Sequence, residues 1–418
     1  MKPDNINRIM VSIRLILFTG LFFLHWSCRP QSSGKSNAVS PGPESAAIQP
    51  NRLLTGAEQL DLYLPHIRQK SVALLVNHTA LVGNTHLADT LLKRGINVKK
   101  IFGPEHGFRG NAADGEVVKN GVDTKTGLPV ISLYGKNKKP TNEQLADVDV
   151  IIFDIQDVGT RFYTYISTLH YLMEAAAENK KHVVILDRPN PHGSYVDGPM
   201  LQPEHRSFVG MHPIPVVHGL TVGELGKMIN SEGWLAGGKR CELTVIPMKS
   251  WTHQDEYLLP VYPSPNLPNN QAIRLYPSLC FFEGTAISVG RGTGMPFQVL
   301  GNPHLKGFSF SFTPITIKGV AVNPLHENKV CYGVDLRNAR TDKQIDLSYL
   351  IEMYNAYPDK DNFFTNPFDK NYIDKLAGTT QLKEQIRKGL SEQEIRDSWK
   401  EDLDKYKTLR KKYLLYAE

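Results

Sequence analysis

The chain has 418 residues, which is long enough for two globular domains, and its hydrophobic share of 41% is too high for a disordered protein. Its formal net charge is +6, and no run of basic residues approaches the density of a nucleic-acid-binding arm. Composition therefore predicts a folded protein that does not bind nucleic acid. The mildly basic surface would suit an anionic polymer or a membrane.

The amino terminus has the pattern of an export signal. Three basic residues precede a short apolar run at residues 15–24, which is too short to span a bilayer as a mature helix. Ser27, a small residue, comes directly before Cys28. We therefore expect residues 1–28 to be a lipoprotein signal segment and Cys28 to become lipidated. Leu24 lies one place further from Cys28 than the usual lipoprotein pattern requires, which leaves cleavage without lipidation open.

Residues 29–51 are rich in Ser, Pro, Gly, Gln and Asn, which predicts a flexible tether. We therefore expect an exported lipoprotein, periplasmic or associated with the outer membrane, whose lipid anchor binds it to the membrane. The other cysteines, Cys241, Cys280 and Cys331, are odd in number and have no metal-type spacing. They are predicted to be packed thiols rather than a disulfide framework or a zinc site.

From residue 52 onward, short β-branched apolar runs alternate with amphipathic helices. The predicted strands are residues 71–77, 98–102, 129–133, 148–154 and 182–187, and the predicted helices are residues 85–94 and 162–179. A strand at 216–217, a helix at 221–233 and a strand at 243–246 are predicted to complete the same sheet. Near-continuous apolar strands separated by helices predict an α/β fold with a parallel sheet covered on both faces.

The second half of the chain has a different pattern. Residues 260–303 are irregular and proline-rich, and strands are predicted around 308–312 and 330–334. The chain then ends in helices, the last of which carries an apolar stripe that indicates packing. We therefore divide the folded part into a sheet domain at 52–268 and a smaller α+β domain at 269–418.

Polar loops follow four of the predicted strands directly. These loops are residues 77–79, 103–107, 154–161 and 187–191. Any one of them alone could be a turn or a helix cap. Because ligands bind outside the carboxyl ends of parallel strands, four such loops together favour a functional site.

The loops exclude some chemistries and favour others. The first strand lacks a Gly-x-Gly-x-x-Gly turn, and the chain has no Walker loop and no Gly-x-Ser-x-Gly elbow. The polar residues in or beside the loops are His78, Glu105, His106, Asp154, Asp157, Arg161, Tyr163, Asp187 and Arg188. Paired carboxylates favour glycoside hydrolysis. A metal site is the main alternative, but no HExxH or comparable ligand pair is present, so we expect no metal or cofactor.

Four motifs resemble the exo-β-N-acetylmuramidase (NamZ) family. They are GPEHGFRG at 103–110, DIQDVGTRFYTY at 154–165, LDRPNP at 186–191, and FEGT through GRGT at 282–293. The resemblance runs from about residue 74 to residue 416. It implies a Rossmann-like domain without a nucleotide, a smaller C-terminal domain, and an active-site cleft between them. It also implies release of N-acetylmuramic acid from the non-reducing ends of peptidoglycan fragments, with Glu105 as the leading catalytic residue.

Chemistry suggests the other roles. Our hypothesis is that Glu105 is a general acid whose pKa is raised by partial burial, and that Asp157 is the base or charge stabiliser. The predicted catalytic neighbours are His106 and Tyr163. Further predicted substrate contacts are Asn77, His78, Asp154, Asn190 and Glu283.

A planar guanidinium could bind the lactyl carboxylate of muramic acid bidentately. The candidates are Arg161, Arg188 and Arg291, of which Arg291 is favoured. Glu283 and Arg291 could equally form a structural ion pair. Two other classes of protein stay open: a metal-dependent cell-wall hydrolase, and a glycan-binding lipoprotein without catalysis.

Overall fold

A computed structural model describes residues 52–108, 120–366 and 369–418. The predicted signal segment and tether lie outside the described residues. The strands are β1 (Ser71–Val76), β2 (Leu81–Val82), β3 (Thr85–His86), β4 (Asn97–Gly103), β5 (Gly121–Val122), β6 (Pro129–Ser132), β7 (Val150–Asp154), β8 (His182–Leu186), β9 (Asp197–Met200), β10 (Pro215–Val217), β11 (Glu242–Ile246), β12 (Val299–Asn302), β13 (Phe310–Phe312) and β14 (Cys331–Asp335). The α-helices are α1 (Leu60–Ile67), α2 (Leu87–Lys93), α3 (Asn142–Leu145), α4 (Tyr165–Asn179), α5 (Val222–Ser231), α6 (Asn270–Leu279), α7 (Ser348–Ala356), α8 (Tyr372–Ala377), α9 (Gln381–Arg387), α10 (Glu392–Asp397) and α11 (Lys400–Arg410).

A seven-stranded sheet forms the centre of the N-terminal domain. Its order is β11-β8-β7-β1-β4-β6-β5, and only β5 runs antiparallel to its neighbour. Numbered along the chain, the parallel strands lie in the order 3-2-1-4-5-6, which is the doubly wound Rossmann order. The expected α/β class and Rossmann-like sheet are confirmed.

The side chains of the central strands point alternately to the two faces of the sheet, and a separate hydrophobic core lies on each face. In β1, Ala73 and Leu75 pack into the core that also holds the buried side chains of α4 and α5. Val72, Leu74 and Val76 face the other way, into the core shared with α1 and α2. Successive side chains of a strand point to opposite faces, so a strand covered on both sides must be apolar throughout. This is why the sequence shows uninterrupted apolar runs there.

The strand predicted at 216–217 does not belong to this sheet, so that expectation was wrong. Residues 215–217 form β10, which pairs antiparallel with β9 in a separate two-stranded sheet. A parallel neighbour for β8 requires a crossover, usually helical, and no α-helix lies between β8 and β10. Helix α5 provides that crossover later, and β11 takes the place beside β8.

Some element boundaries also differ from the prediction. The helix predicted from residue 85 begins at Leu87, because residues 85–86 pair with β2 and the His86 ring accepts a hydrogen bond from the Ala88 amide. The last predicted helix is two helices, α10 and α11, separated at residues 398–399. Its apolar stripe is largely buried, as expected for packing, at Ile395, Trp399, Leu403, Tyr406 and Tyr413.

The C-terminal domain contains the antiparallel sheet β12-β14-β13 and helices α6 to α11. The C-terminal domain is smaller than the sheet domain, as expected. The exact boundary between the two domains, placed at 268/269, stays a prediction. Cys241, Cys280 and Cys331 are buried free thiols, as predicted. Among the described residues, no helix is both long enough and apolar enough to cross a membrane.

The last residues of the chain return to the N-terminal domain. The Tyr416 hydroxyl donates a hydrogen bond to Asp187 Oδ2 at 2.6 Å, and the Leu415 amide donates to Glu224 Oε1 at 2.8 Å. The His253 amide donates to the carbonyl of Ala417 at 2.8 Å. Burial raises the pKa of Asp187 to about 6. This tail segment, residues 415–417, therefore partners two carboxylates buried in the other domain.

Candidate active site

The loop after β4 presents Glu105. His106 and Gly107 both have left-handed backbone conformations, with φ of 67° and 74°. The Gly107 amide donates to the Pro104 carbonyl at 2.9 Å, which closes the turn. A left-handed conformation is uncommon for a residue with a side chain and recurs at functional sites. The turn buries His106 and leaves the neighbouring Glu105 side chain partly exposed.

Glu105 faces a cavity that both domains form. The lining residues from the N-terminal domain are Glu105, His106, Tyr134, Phe162, Tyr163, Thr164, Tyr165, Phe208, Val209, Ser264, Asn266 and Leu267. Those from the C-terminal domain are Tyr276, Glu283, Arg291, Phe297 and Tyr372. The cavity is thus polar at a few points and aromatic over much of its wall, which suits a ligand with both hydroxyl groups and an apolar face.

Thr164 holds the Glu105 carboxylate. Its hydroxyl donates to Glu105 Oε2 at 2.7 Å. Thr164 is the residue that precedes the 15-residue helix α4, so Glu105 lies beside the amino end of that helix. Unpaired amides give this end of a helix a partial positive charge, which favours a carboxylate. The contact joins residues that lie 59 positions apart in the chain.

An ion pair lies on the C-terminal side of the cavity. Arg291 Nε donates to Glu283 Oε1 at 2.6 Å, and the Cys280 thiol lies 3.6 Å from Glu283 Oε2. The Arg291 guanidinium also lies 5.1 Å from the centre of the Phe297 ring, within the range of a cation–π contact. Both groups are partly exposed to the cavity.

The glycine-rich segment at 290–294 forms the turn that carries Arg291. Gly290 and Gly292 have φ of 79° and 78°. A Cβ atom on Gly292 would lie 2.4 Å from the Ile315 carbonyl oxygen, and one on Gly290 would lie 2.5 Å from a Val299 methyl group. Only glycine fits both positions, so this segment is a tight turn that places Arg291 in the cavity wall.

Two tyrosines cover the inner end of the cavity. The Tyr165 hydroxyl accepts a hydrogen bond from the Asn77 side-chain amide at 3.1 Å and donates one to the Pro263 carbonyl at 3.0 Å. The Tyr163 hydroxyl is buried and has no hydrogen-bond partner among the described residues. Burial raises the pKa of both tyrosines, so both stay neutral hydroxyl groups. The Tyr165 proton is used in the bond to Pro263, whereas the Tyr163 hydroxyl can donate to a ligand.

Asp157 lies beneath the cavity and is not one of its lining residues. Its Oδ2 accepts a long hydrogen bond of 3.4 Å from the Gly159 amide, and its Oδ1 has no partner among the described residues. Burial raises the pKa of Asp157 to about 7. Asp157 therefore does not contact a ligand in the cavity. Its charge contributes to the raised pKa of Tyr163 and of Tyr165.

Two of the predicted arginines are used elsewhere. Arg188 forms a buried ion pair with Asp154, with a second contact of 2.9 Å between Nη2 and Oδ2, and it also donates to the Leu81 carbonyl. Arg161 is fully buried, and its guanidinium donates four hydrogen bonds among the described residues, all of them to backbone carbonyls. Neither lines the cavity, in contrast to Arg291.

Three more of the predicted contacts lie outside the cavity wall. His78 Nε2 donates to the Tyr262 carbonyl at 2.8 Å, and burial lowers the pKa of His78. The Asn190 amide donates to the Leu220 carbonyl at 2.8 Å and its oxygen accepts from the His192 amide. Asn77 reaches the cavity only through Tyr165. The loops at 77–79, 154–161 and 187–191 contact one another, because Gln156 donates to the Thr79 hydroxyl and to the Pro189 carbonyl. The cavity itself is lined by the loop at 103–107 and by residues 162–165, which directly follow the loop at 154–161.

Sequence reasoning missed several lining residues. Thr164 and Tyr165 lie within the motif at 154–165, one and two positions after Tyr163, so the motif itself held the signal. Ser264, Asn266 and Tyr276 lie in a proline-rich stretch without a motif that could have identified them. Within the part of the chain that the structure describes, no group of three or more His, Cys, Asp or Glu side chains is arranged to hold a metal ion.

Comparison with known proteins identifies the family. Residues 72–271 match the N-terminal domain of exo-beta-N-acetylmuramidase NamZ, and residues 274–416 match its C-terminal domain. The chain belongs to the NamZ family. A NamZ relative from Bacillus subtilis (strain 168), named peptidoglycan beta-N-acetylmuramidase, is 40% identical over 410 residues, covering 91% of this chain and 95% of that protein.

Two solved structures share the NamZ fold described above. Both are DUF1343 family proteins from Bacteroides fragilis NCTC 9343. One has a TM-score of 0.80 and 48% sequence identity, and the other has a TM-score of 0.74 and 32% identity. Each alignment covers 88% of this chain and 99% of the solved chain. The arrangement of a Rossmann-like domain followed by a smaller domain is therefore common to this chain and its structural neighbours.

Proposed function

We propose that the protein is an exo-acting glycoside hydrolase that releases N-acetylmuramic acid from the non-reducing ends of peptidoglycan fragments, with Glu105 as principal acid/base. The observation that carries the proposal is the position of Glu105. It projects from a family motif into a cavity between two domains and is oriented there by Thr164. The activity of the Bacillus subtilis relative supports the choice of substrate.

Glycoside hydrolysis requires a second group opposite the acid, to activate water or to stabilise the developing positive charge on the sugar. Among the described residues, Glu105 and Glu283 are the carboxylates that line the cavity. We assign the second role to Glu283 in place of Asp157, because Asp157 is buried beneath the wall and Glu283 faces the ligand space. The ion pair with Arg291 holds the Glu283 carboxylate in the cavity wall.

Recognition of muramic acid is assigned to Arg291. Muramic acid and glucosamine differ in the O3 lactyl ether and its carboxylate, so discrimination must act on that group. Arg291 is the one of the three candidate arginines that lines the cavity. The Arg291 guanidinium, which already pairs with Glu283 through Nε, would bind the lactyl carboxylate as well, and glucosamine brings no carboxylate to it. Preference for muramides should therefore be strong.

The test is hydrolysis of a chromogenic β-N-acetylmuramide beside the corresponding β-N-acetylglucosaminide. We expect rapid cleavage of the muramide, and Glu105→Gln should lower turnover by roughly 10²–10⁴-fold while the protein stays folded. Glu401→Gln, on the exposed surface of α11, is the matched control and should behave as wild type. Near-normal turnover in folded Glu105→Gln would remove Glu105 from the mechanism.

The same assay separates the two alternative classes. A metal-dependent hydrolase would lose activity with a chelator and regain it with a divalent ion. A glycan-binding lipoprotein would bind muramyl saccharides without turnover, and Glu105→Gln would change affinity alone.

For location, we propose that the protein is exported and held at a membrane through lipidated Cys28. Support comes from the basic residues, the short apolar run and the small residue before Cys28. This position would bring the enzyme to peptidoglycan fragments released during cell-wall turnover.

A further inference from the structure

We infer that the N-terminal domain carries a second saccharide site, in a crevice separate from the active-site cavity. This β1–β7 crevice has a volume of about 340 Å³, which is within the range of small-molecule sites. It shares no lining residue with the active-site cavity. The identity of the ligand rests on the proposed function, to which the inference adds a second place of contact with the glycan. The lining residues used below are Glu58, Thr79, Gln156, Arg188, Tyr257 and Val261.

The sheet topology explains where the crevice lies. From β1 the chain continues to β4 and β6 on one side of the sheet, and from β7 it continues to β8 and β11 on the other side. The strand order therefore reverses between β1 and β7. Thr79 lies in the loop after β1 and Gln156 in the loop after β7, and both line the crevice. In open α/β sheets, ligands bind outside the carboxyl ends of the strands at such a point.

Gln156 presents a fixed hydrogen-bond acceptor to the crevice. Its side chain is only 3% exposed, and its Nε2 donates to the carbonyls of Asp157 and Pro189 at 2.9 and 2.7 Å. These two carbonyls use both protons of the amide and so determine its orientation. Its Oε1 accepts no hydrogen bond from the described residues. This oxygen is therefore left to accept one from a ligand.

Arg188 presents a fixed donor to the same crevice. Its side chain is 7% exposed, and its Nε and Nη2 bind the Asp154 carboxylate, while Nη2 also donates to the Leu81 carbonyl. Nε and Nη2 form one edge of the planar guanidinium, and Nη1 lies at the opposite corner. Nη1 donates to no group among the described residues. The crevice thus contains one oriented acceptor and one oriented donor that the fold itself does not use.

Charge and shape favour a neutral sugar as the ligand. The charged lining residues are Glu58 and Arg188, and each already forms an ion pair, with Arg52 and Asp154 respectively. The described wall therefore offers no unmatched charge to an anionic ligand. A sugar hydroxyl can donate to one group and accept from another, and the Tyr257 ring provides an apolar surface for the C–H face of a sugar.

Peptidoglycan glycan strands contain a neutral sugar of this kind. N-acetylglucosamine alternates in them with N-acetylmuramic acid, whose lactyl group carries a carboxylate. We assign the crevice to N-acetylglucosamine units rather than to the anionic sugar or to the peptide stem. A dinucleotide fits poorly, because the loop after β1 lacks the glycine turn that would let pyrophosphate approach.

The crevice and the active-site cavity lie within reach of one oligosaccharide. Val261 lines the crevice and Ser264 lines the cavity. These residues are three positions apart, so their Cα atoms are separated by at most about 11 Å. A glycan strand of a few sugar units could therefore contact both sites. The crevice would then hold a part of the strand at which no bond is cleaved.

Calorimetric titration with tri-N-acetylchitotriose tests the inference. This neutral trisaccharide has no lactyl group, and the full chain carrying Glu105→Gln is used as the parent so that no cleavage interferes. Tyr257→Ala in that parent should weaken binding by about tenfold, because the aromatic surface is lost. Val261→Trp should weaken it by more than about tenfold, because the indole occupies space that a sugar ring needs.

Leu258→Ala is the matched control. Leu258 is the neighbour of Tyr257, is 56% exposed and lines neither the crevice nor the cavity, so the parental affinity is expected. Urea unfolding midpoints verify that each variant is folded. Two further probes are adenosine and the dianionic peptide N-acetyl-L-alanyl-D-glutamate. Binding of either one in place of the trisaccharide would overturn the assignment to a sugar.

The outcome is independent of the muramidase assay. If the wild type cleaves no muramide, the proposed function fails, yet the titrations still decide whether the crevice binds a sugar. An active muramidase that does not bind the trisaccharide, or whose binding is the same in Tyr257→Ala and Val261→Trp as in the parent, would overturn the inference and leave the proposed function in place.

Discussion

Replacing Arg161 with methionine is expected to destabilise the protein without changing which sugar it prefers. The guanidinium donates to the carbonyls of Pro199 and Ile214 at 2.9 and 2.7 Å, and to those of Leu376 and Ala377 at 3.0 and 2.7 Å. The last two carbonyls belong to the end of α8, where backbone acceptors have no partner within the helix and a cation is favoured. Arg161 therefore joins the β9–β10 sheet to the C-terminal domain.

The size of the destabilisation depends on the hydrogen bonds that methionine cannot make. It fills much of the same space but donates no hydrogen bond, so four buried carbonyls lose a charged donor. Such bonds contribute about 1.5–3 kcal/mol each when measured singly, but losses at one site do not add fully. We expect the free energy of unfolding to fall by about 3–5 kcal/mol. Arg161→Lys keeps the charge but cannot reach four acceptors, so its free energy of unfolding should lie between those of the wild type and Arg161→Met.

Urea unfolding followed by circular dichroism measures the loss, and paired assays on the muramide and the glucosaminide measure preference. The folded fraction of Arg161→Met should keep the wild-type ratio of the two rates. An unfolding midpoint equal to that of the wild type, or a collapse of the preference for muramide, would refute the assignment of Arg161 to structure.

Replacing Arg291 with methionine should weaken muramide hydrolysis by roughly 2–4 kcal/mol more, in transition-state terms, than it weakens the slow glucosaminide reaction, in which Glu283 also loses its ion-pair partner; equal losses on both substrates would contradict the assignment. Replacing Asp157 with asparagine should flatten the pH dependence of stability. Because burial raises the pKa of Asp157 to about 7, the folded protein keeps a proton that the unfolded chain has released, and wild-type stability falls as the pH rises from about 4 to about 7. Urea midpoints across that range check this, and parallel curves for the two proteins would count against it. Replacing Cys28 with alanine should move the mature protein from the membrane fraction to the soluble fraction, and unchanged processing and partition would rule out the lipid anchor.

The central sheet was predictable because its strands are buried on both faces. Runs such as residues 71–76 and 150–154 must then be apolar throughout, and this pattern is visible in one sequence. The strand at 215–217 was misplaced because a short apolar run carries no information about direction or partner. Pairing with β9 depends on how the chain turns between β8 and β10, which no local pattern encodes.

For the candidate site, the sequence identified the loops better than the side chains. Glu105 could be singled out because it lies in a distinctive motif directly after a strand. The roles of Arg161 and Arg291 could not be separated, because a buried arginine that bonds carbonyls and one that faces a ligand look alike in sequence. The contact of Thr164 with Glu105 joins distant positions and needed the folded geometry.

The return of residues 415–417 to the N-terminal domain has a practical consequence for expression. Ending the chain at residue 412 would remove the Tyr416 hydroxyl from Asp187 and the Leu415 amide from Glu224, two carboxylates that the fold keeps out of water. The sheet domain produced alone would carry the same defect. A C-terminal affinity tag should therefore be joined through a flexible linker after Glu418, so that the contacts of Tyr416 and Leu415 stay intact.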